Sequence, residues 1–257
     1  MVLSRRDRVL ISSCLVLLTA LAWAYLVRLD HQMSAAMEYD RAMADMGMTM
    51  NAPWGAADVL FTFAMWVVMM VGMMTASAAP VMLLFARMHA GRGAARAPRA
   101  VFAFGAGYLV VWTAFSAVAA LAQWTLHRLA MLSPAMTTSS ARLGGAILIA
   151  AGVYQLTPFK SACLAHCRSP LGFIMSHWRD GHAGALRMGI AHGTYCLGCC
   201  WALMCVLFVV GVMNLAWVAA MTMFVLVEKI GPAGALVARV AGVAMIVCGA
   251  LVWSARL

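Results

Sequence analysis

Apolar runs recur along this chain at 9–27, 57–86, 101–123, 143–156, 188–212, 215–227 and 235–253, separated by short polar or basic breaks. A helix that crosses a bilayer core of about 30 Å needs roughly 20 mostly apolar residues. Inside that core every backbone polar group must be paired within its own segment. The pattern therefore predicts an all-α, polytopic transmembrane helix bundle of about seven spans. The 215–227 run is the shortest, and losing it reverses the side on which the chain ends. Composition agrees: 65% of the 257 residues are apolar and 10% charged, and mean hydropathy is +0.91. A soluble domain averages about half apolar and about a quarter charged. No repeat and no soluble appendage interrupts the pattern, so residues 1–257 read as a single integral membrane domain.

The net charge of +10 does not point to nucleic acid, because the basic residues sit between the apolar runs. Such placement fixes orientation in a membrane. With the N-terminus inside, the cytoplasmic segments hold Arg5, Arg6, Arg8, Arg87, Arg92, Arg96, Arg99, Lys160, Arg168, Arg179, Arg187 and Lys229. The other side holds Arg28, Arg41, Arg128, Arg142 and Arg256. The first run is longer than a signal peptide's apolar region of about 7–15 residues, and reads as a retained anchor. Two segments then stand out: a Met-rich outer loop at 28–56 and a Cys/His cytoplasmic loop at 160–187.

Soft ligands concentrate in three places. The first is His192, Cys196, Cys199 and Cys200, which on a helix fall within an arc of about 100°. One imidazole and three thiols on one face suit Cu(I) or Zn(II). Upstream, Cys163, His166 and Cys167 lie on the same expected side, and the two groups are positioned to converge on one centre. His177 and His182 read as solvated loop residues. The third place is methionine, of which there are 23. Met33, Met37, Met43, Met46, Met48 and Met50 crowd the outer loop beside Glu38, Asp40 and Asp45. Met65, Met69 and Met73 are spaced four apart on one helix face, with Met70 and Met74 on another. Thioethers select Cu(I) over Zn(II) and survive where thiolates oxidise. Each group also has a plain packing reading, since Cys and Met both pad buried helices. Gln155 is expected near the cysteines, and Glu228 at a membrane interface. No phosphate loop, Ser/His/Asp set or carboxylate pair within one span gives a catalytic constellation.

Three blocks carry a family resemblance. They are Met65-Trp66-Val67-Val68-Met69-Met70-Val71-Gly72-Met73-Met74 with Pro80, then Tyr154-Gln155-Leu156-Thr157-Pro158-Phe159-Lys160 with Cys163 and Cys167-Arg168-Ser169-Pro170. The third is Gly189-Ile190-Ala191-His192-Gly193-Thr194-Tyr195-Cys196-Leu197-Gly198-Cys199-Cys200-Trp201. Together they resemble a bacterial family of predicted metal-binding integral membrane proteins, a domain of unknown function. The resemblance covers roughly the second to seventh runs and implies a multi-span fold with a metal site. The expectation is thus a multi-pass protein of the bacterial inner membrane that binds, moves or delivers Cu(I), with zinc as the other candidate. Its partners would be the lipid bilayer and a metallochaperone or a membrane metalloenzyme. Two rivals remain open: a membrane thiol oxidoreductase using Cys196 and Cys199, and an assembly subunit with His127 or His192 near a haem.

Overall fold

The computed structural model of the chain describes residues 3–46, 54–91, 97–129, 131–132, 137–138 and 140–254. Among these it is all-helical: α1 (Arg5–Asp45), α2 (Ala56–Gly91), α3 (Ala97–Arg128), α4 (Ala141–Gln155), α5 (Pro158–Arg168), α6 (Pro170–His177), α7 (Gly181–Val210), α8 (Leu215–Ile230) and α9 (Gly234–Ser254). Within 5–36, 56–91, 98–128, 181–210 and 234–254, five helices are long and apolar enough to cross a membrane. A sixth crossing is available if α4 and α5, bent 63° to one another, form one span. The expected seven is therefore reduced. At about 1.5 Å per residue the 16 residues of α8 reach about 24 Å, short of a core of about 30 Å.

The segment 28–45 is helix rather than loop. No Gly or Pro occurs between Arg28 and Met46, and Leu, Gln, Met, Ala, Glu and Arg dominate there. These are good helix formers, so α1 continues through the polar stretch. Met48 and Met50 lie outside the described residues, as do Arg92 and Arg96. Likewise 160–187 is not a loop: it folds into α5, α6 and the first turns of α7.

Proline decides where α4 stops. Pro158 has no N–H to give and disfavours helical backbone at the residue before it. The chain restarts with Thr157 as the cap of α5, its hydroxyl accepting from the Lys160 amide at 3.3 Å. Gly231-Pro232 breaks the chain between α8 and α9 in the same way. Both short helices thus end with free carbonyls that need partners. Arg168 of α5 supplies some of them, donating to the carbonyl oxygens of Glu228 at 2.5 Å and Pro232 at 3.4 Å.

Small residues set the packing. A Cβ on Gly189 of α7 would fall on the carbonyl oxygen of Phe104 in α3, and one on Gly107 on that of Leu186. On the other side of the bundle α4 and α9 touch at two levels. A Cβ on Gly145 would lie 2.8 Å from the Gly249 oxygen, and one on Gly152 2.6 Å from the Gly242 oxygen. Glycine is what lets helices approach this closely when lipid removes the hydrophobic drive between them. The main core lies between α2, α3 and α7, with Trp66, Met69, Met70, Met73, Met74, Phe104, Tyr108 and Trp112 all buried.

Candidate metal centre

The close α3–α7 contact presses one face of α7 into the core. His192, Cys196, Cys199 and Cys200 are each 2% exposed or less, so the face read from their spacing points inward, away from lipid. Cys196 is the hub. Its Sγ lies 2.9 Å from Lys229 Nζ of α8 and 3.0 Å from the Tyr108 hydroxyl of α3. Lys229 Nζ also reaches Ser77 Oγ at 3.1 Å and Met74 Sδ at 3.9 Å, both on α2. Tyr108 in turn donates to the Met74 carbonyl at 3.2 Å. From α5, buried Cys167 brings its Sγ to 4.0 Å from that of Cys199. Cys163 is half-buried and packs over Gly198, where a Cβ would stand 2.7 Å from its sulfur. Four helices and α8's last turn therefore meet around one thiol.

The structure separates the expected ligands into two sets. Cys167, Cys196, Cys199 and Cys200 share one buried place, with His192 one turn from Cys196. His166 does not join them. It is half-buried, stacks on Tyr195 with ring centroids 4.2 Å apart, and its Nδ1 is 2.9 Å from the Ala162 carbonyl of its own helix. Met65, Met69 and Met73 are buried along α2, but the thioether beside the thiol hub belongs to Met74. All eight cysteines are free; Cys14 and Cys248 are exposed and Cys205 is half-buried, away from this cluster.

Among the described residues no three or more His, Cys, Asp or Glu side chains stand in metal-holding geometry. The reason is local. The thiols of Cys199 and Cys200 turn back to donate to the Cys196 carbonyl, at 3.1 and 2.8 Å. These are parked rotamers of small side chains about a single bond, and χ1 rotation frees them. His192 has the opposite problem. It sits among Tyr108, Phe104 and Phe173, at centroid distances of 5.8, 6.0 and 5.0 Å, and its buried Nδ1 has no hydrogen-bond partner. A buried polar atom left without a partner costs about 1–3 kcal/mol. Imidazole, thiol and thioether are all soft or borderline ligand types, and they occur in one part of the core here.

Beside the cluster lies an ionic layer that the charge pattern misassigned. The charge pattern puts Lys160 and Lys229, the chain's only lysines, on the cytoplasmic side and Glu228 at a membrane interface. They are 1%, 7% and 1% exposed. Lys160 Nζ donates to both Glu228 carboxylate oxygens at 2.8 Å and to the Gln155 side-chain oxygen, while Gln155 Nε2 donates to Glu228 at 3.0 Å. This knot ties the broken ends of α4 and α8 together, and so fixes the helix turn that carries Lys229. A signal existed in the sequence: adjacent Glu228 and Lys229 ahead of Gly231-Pro232 in an apolar stretch, where buried charges mark function.

The comparisons bear on the metal. The family model of PpoB2, described as a copper chaperone, matches residues 63–252. That range holds the cysteine cluster, the ionic layer and the α2 methionines. No curated protein and no solved structure matches the chain.

Proposed function

The chain belongs to the PpoB2 copper chaperone family, and from that premise we propose that it binds Cu(I) within a bacterial inner-membrane bundle and passes it to a partner protein. Copper is cargo here, taken by Cys196 with Cys167, Cys199 and Cys200, and with His192 and Met74 as flanking donors. The observation that carries this reading is the burial of four cysteines from two helices, α5 and α7, in one part of the core, with the Cys167 and Cys199 sulfurs 4.0 Å apart. Two thiolates and one Cu(I) leave a net charge of −1. The Lys229 ammonium, 2.9 Å from Cys196, balances it in a medium where an uncompensated charge is costly. Tyr108 holds the Cys196 sulfur from the α3 side.

Orientation follows from the basic residues. Without the buried lysines the asymmetry becomes ten against five, which still favours a cytoplasmic N-terminus and places the α5–α6 side inward. The recipient is then a metallochaperone or a membrane metalloenzyme that offers its own soft ligands.

The test is copper stoichiometry of the detergent-purified protein and of Cys196→Ser/Cys199→Ser, with a chelator setting free Cu(I). The double variant is expected to lose its tight equivalent. Unchanged tight binding would defeat the proposal, and a mixed disulfide trapped on Cys199→Ala would move the reading to thiol exchange.

A further inference from the structure

A cavity of about 250 Å³ opens where α1, α2 and the α7–α8 turn meet, at the far end of α2 from Gly91. Met33 of α1, Met65 of α2 and Met213 of the turn line it together with Tyr25, Trp54 and Phe61; Asp58 and Gln123 also line it, accepting from the Gly55 amide at 2.8 Å and from Trp66 Nε1 at 2.7 Å. A smaller pocket beneath it is walled by Met65, Met69 and Met213 again, with Asp30. Met33 and Met213 are half-buried, Asp58 is exposed, and Met65 is 6% exposed. The methionines therefore run from the rim of the cavity to its floor.

Packing alone does not account for this arrangement. Methionine used as core filler closes space, whereas here thioethers from three segments surround an open one. Carboxylates at the rim and in the wall add negative charge that draws a cation toward ligands that carry none. The floor also leads somewhere. Met65, Met69 and Met73 follow one another at about 6 Å per four residues along α2. The next residue, Met74, has its sulfur 3.9 Å from the Lys229 ammonium that holds Cys196. From Met65 to Met74 is about 14 Å along the helix axis, and each methionine on the way is buried.

We propose that this cavity is a second Cu(I) site, formed by Met33, Met65 and Met213 with Asp58, which loads the α2 methionines leading to the cysteine cluster. The proposal rests on the Cu(I) reading above and deepens it by assigning an entrance. Neutral thioethers select soft monovalent metal over Zn(II) or Mg(II). They also hold it more loosely than thiolates, as an entry site requires. No electron changes hands, because Cu(I) exchanges ligands without changing oxidation state.

Full-length protein in detergent is titrated with Cu(I) against chelators of graded strength. Two equivalents are expected, one tight and one weaker. Met33→Leu/Met65→Leu/Met213→Leu, a nearly isosteric change, loses the weaker equivalent and keeps the tight one; Cys196→Ser/Cys199→Ser does the reverse. A triple variant that still binds both overturns the entrance, whatever the cysteine variant does. A cysteine variant that keeps both, beside a triple variant that loses one, overturns only the cluster. Selenomethionine-labelled protein provides a readout free of mutation: selenium absorption spectra at the second equivalent show a copper neighbour if the proposal holds, and their absence defeats it.

Discussion

Replacing Glu228 with leucine isolates what the buried ionic layer does. The carboxylate is 1% exposed and accepts two contacts from Lys160 at 2.8 Å and one from Gln155 at 3.0 Å. Glu228→Leu leaves the Lys160 ammonium, also 1% exposed, without its counter-charge. Breaking a buried pair from one side costs about 3–5 kcal/mol. At about 2–4 °C per kcal/mol for a chain of this size, the melting temperature falls by on the order of 10 °C. Lys160→Met/Glu228→Leu removes both charges, and a well-packed apolar replacement of a buried pair is often neutral or stabilising. The double variant should therefore recover part of that loss, short of the parent by about 1–3 kcal/mol for the buried Gln155 amide left without its two partners. Copper responds in parallel, because Glu228 anchors the turn that sets Lys229 on Cys196: tight Cu(I) binding weakens in the single variant and recovers in the double. The assay is thermal unfolding in detergent followed by tryptophan fluorescence, alongside Cu(I) competition. A single variant as stable as the parent, or a double variant as unstable as the single, would refute the reasoning.

Gly189→Ala places a methyl on the Phe104 carbonyl and must part α3 from α7. A loss of about 3 kcal/mol or more by the same melt is expected, with weaker Cu(I) binding because Tyr108 and Cys196 separate. His192→Phe removes an unpartnered buried nitrogen and should keep or raise thermal stability while lowering Cu(I) affinity about tenfold; unchanged affinity would exclude the imidazole as a ligand. Tyr108→Phe deletes the hydroxyl that contacts Cys196 and the Met74 carbonyl, at about 1 kcal/mol in the melt.

The sequence carried the helices and the inward thiol face well, because both follow from periodicity. The spacing of His192, Cys196, Cys199 and Cys200 needs only 3.6 residues per turn to define a face, and the Gly189 and Gly193 that press that face against α3 lie in the same stretch. Segment 28–45 reads as a loop by polarity, yet helix propensity without Gly or Pro carries α1 through it. The count of spans departs from the expected seven at α4, which reaches across only as one bent span with α5, and at α8, which has 16 residues. Hydropathy registers apolar length, whereas Pro158 and Gly231-Pro232 set where both helices stop. The same blind spot hid Lys160 and Lys229. A charge count assigns each lysine to the surface, whereas only the fold brings Glu228 and Gln155 to one of them and Cys196 to the other. Met33 and Met213, 180 positions apart, could not be paired from spacing at all.

Copper X-ray absorption of the protein loaded with one Cu(I) would decide whether the cysteine cluster is the resting place of the cargo. A first shell dominated by sulfur, which loses sulfur neighbours in Cys196→Ser/Cys199→Ser, is the expected spectrum. A shell made of nitrogen and oxygen, or one indifferent to those two substitutions, would contradict it.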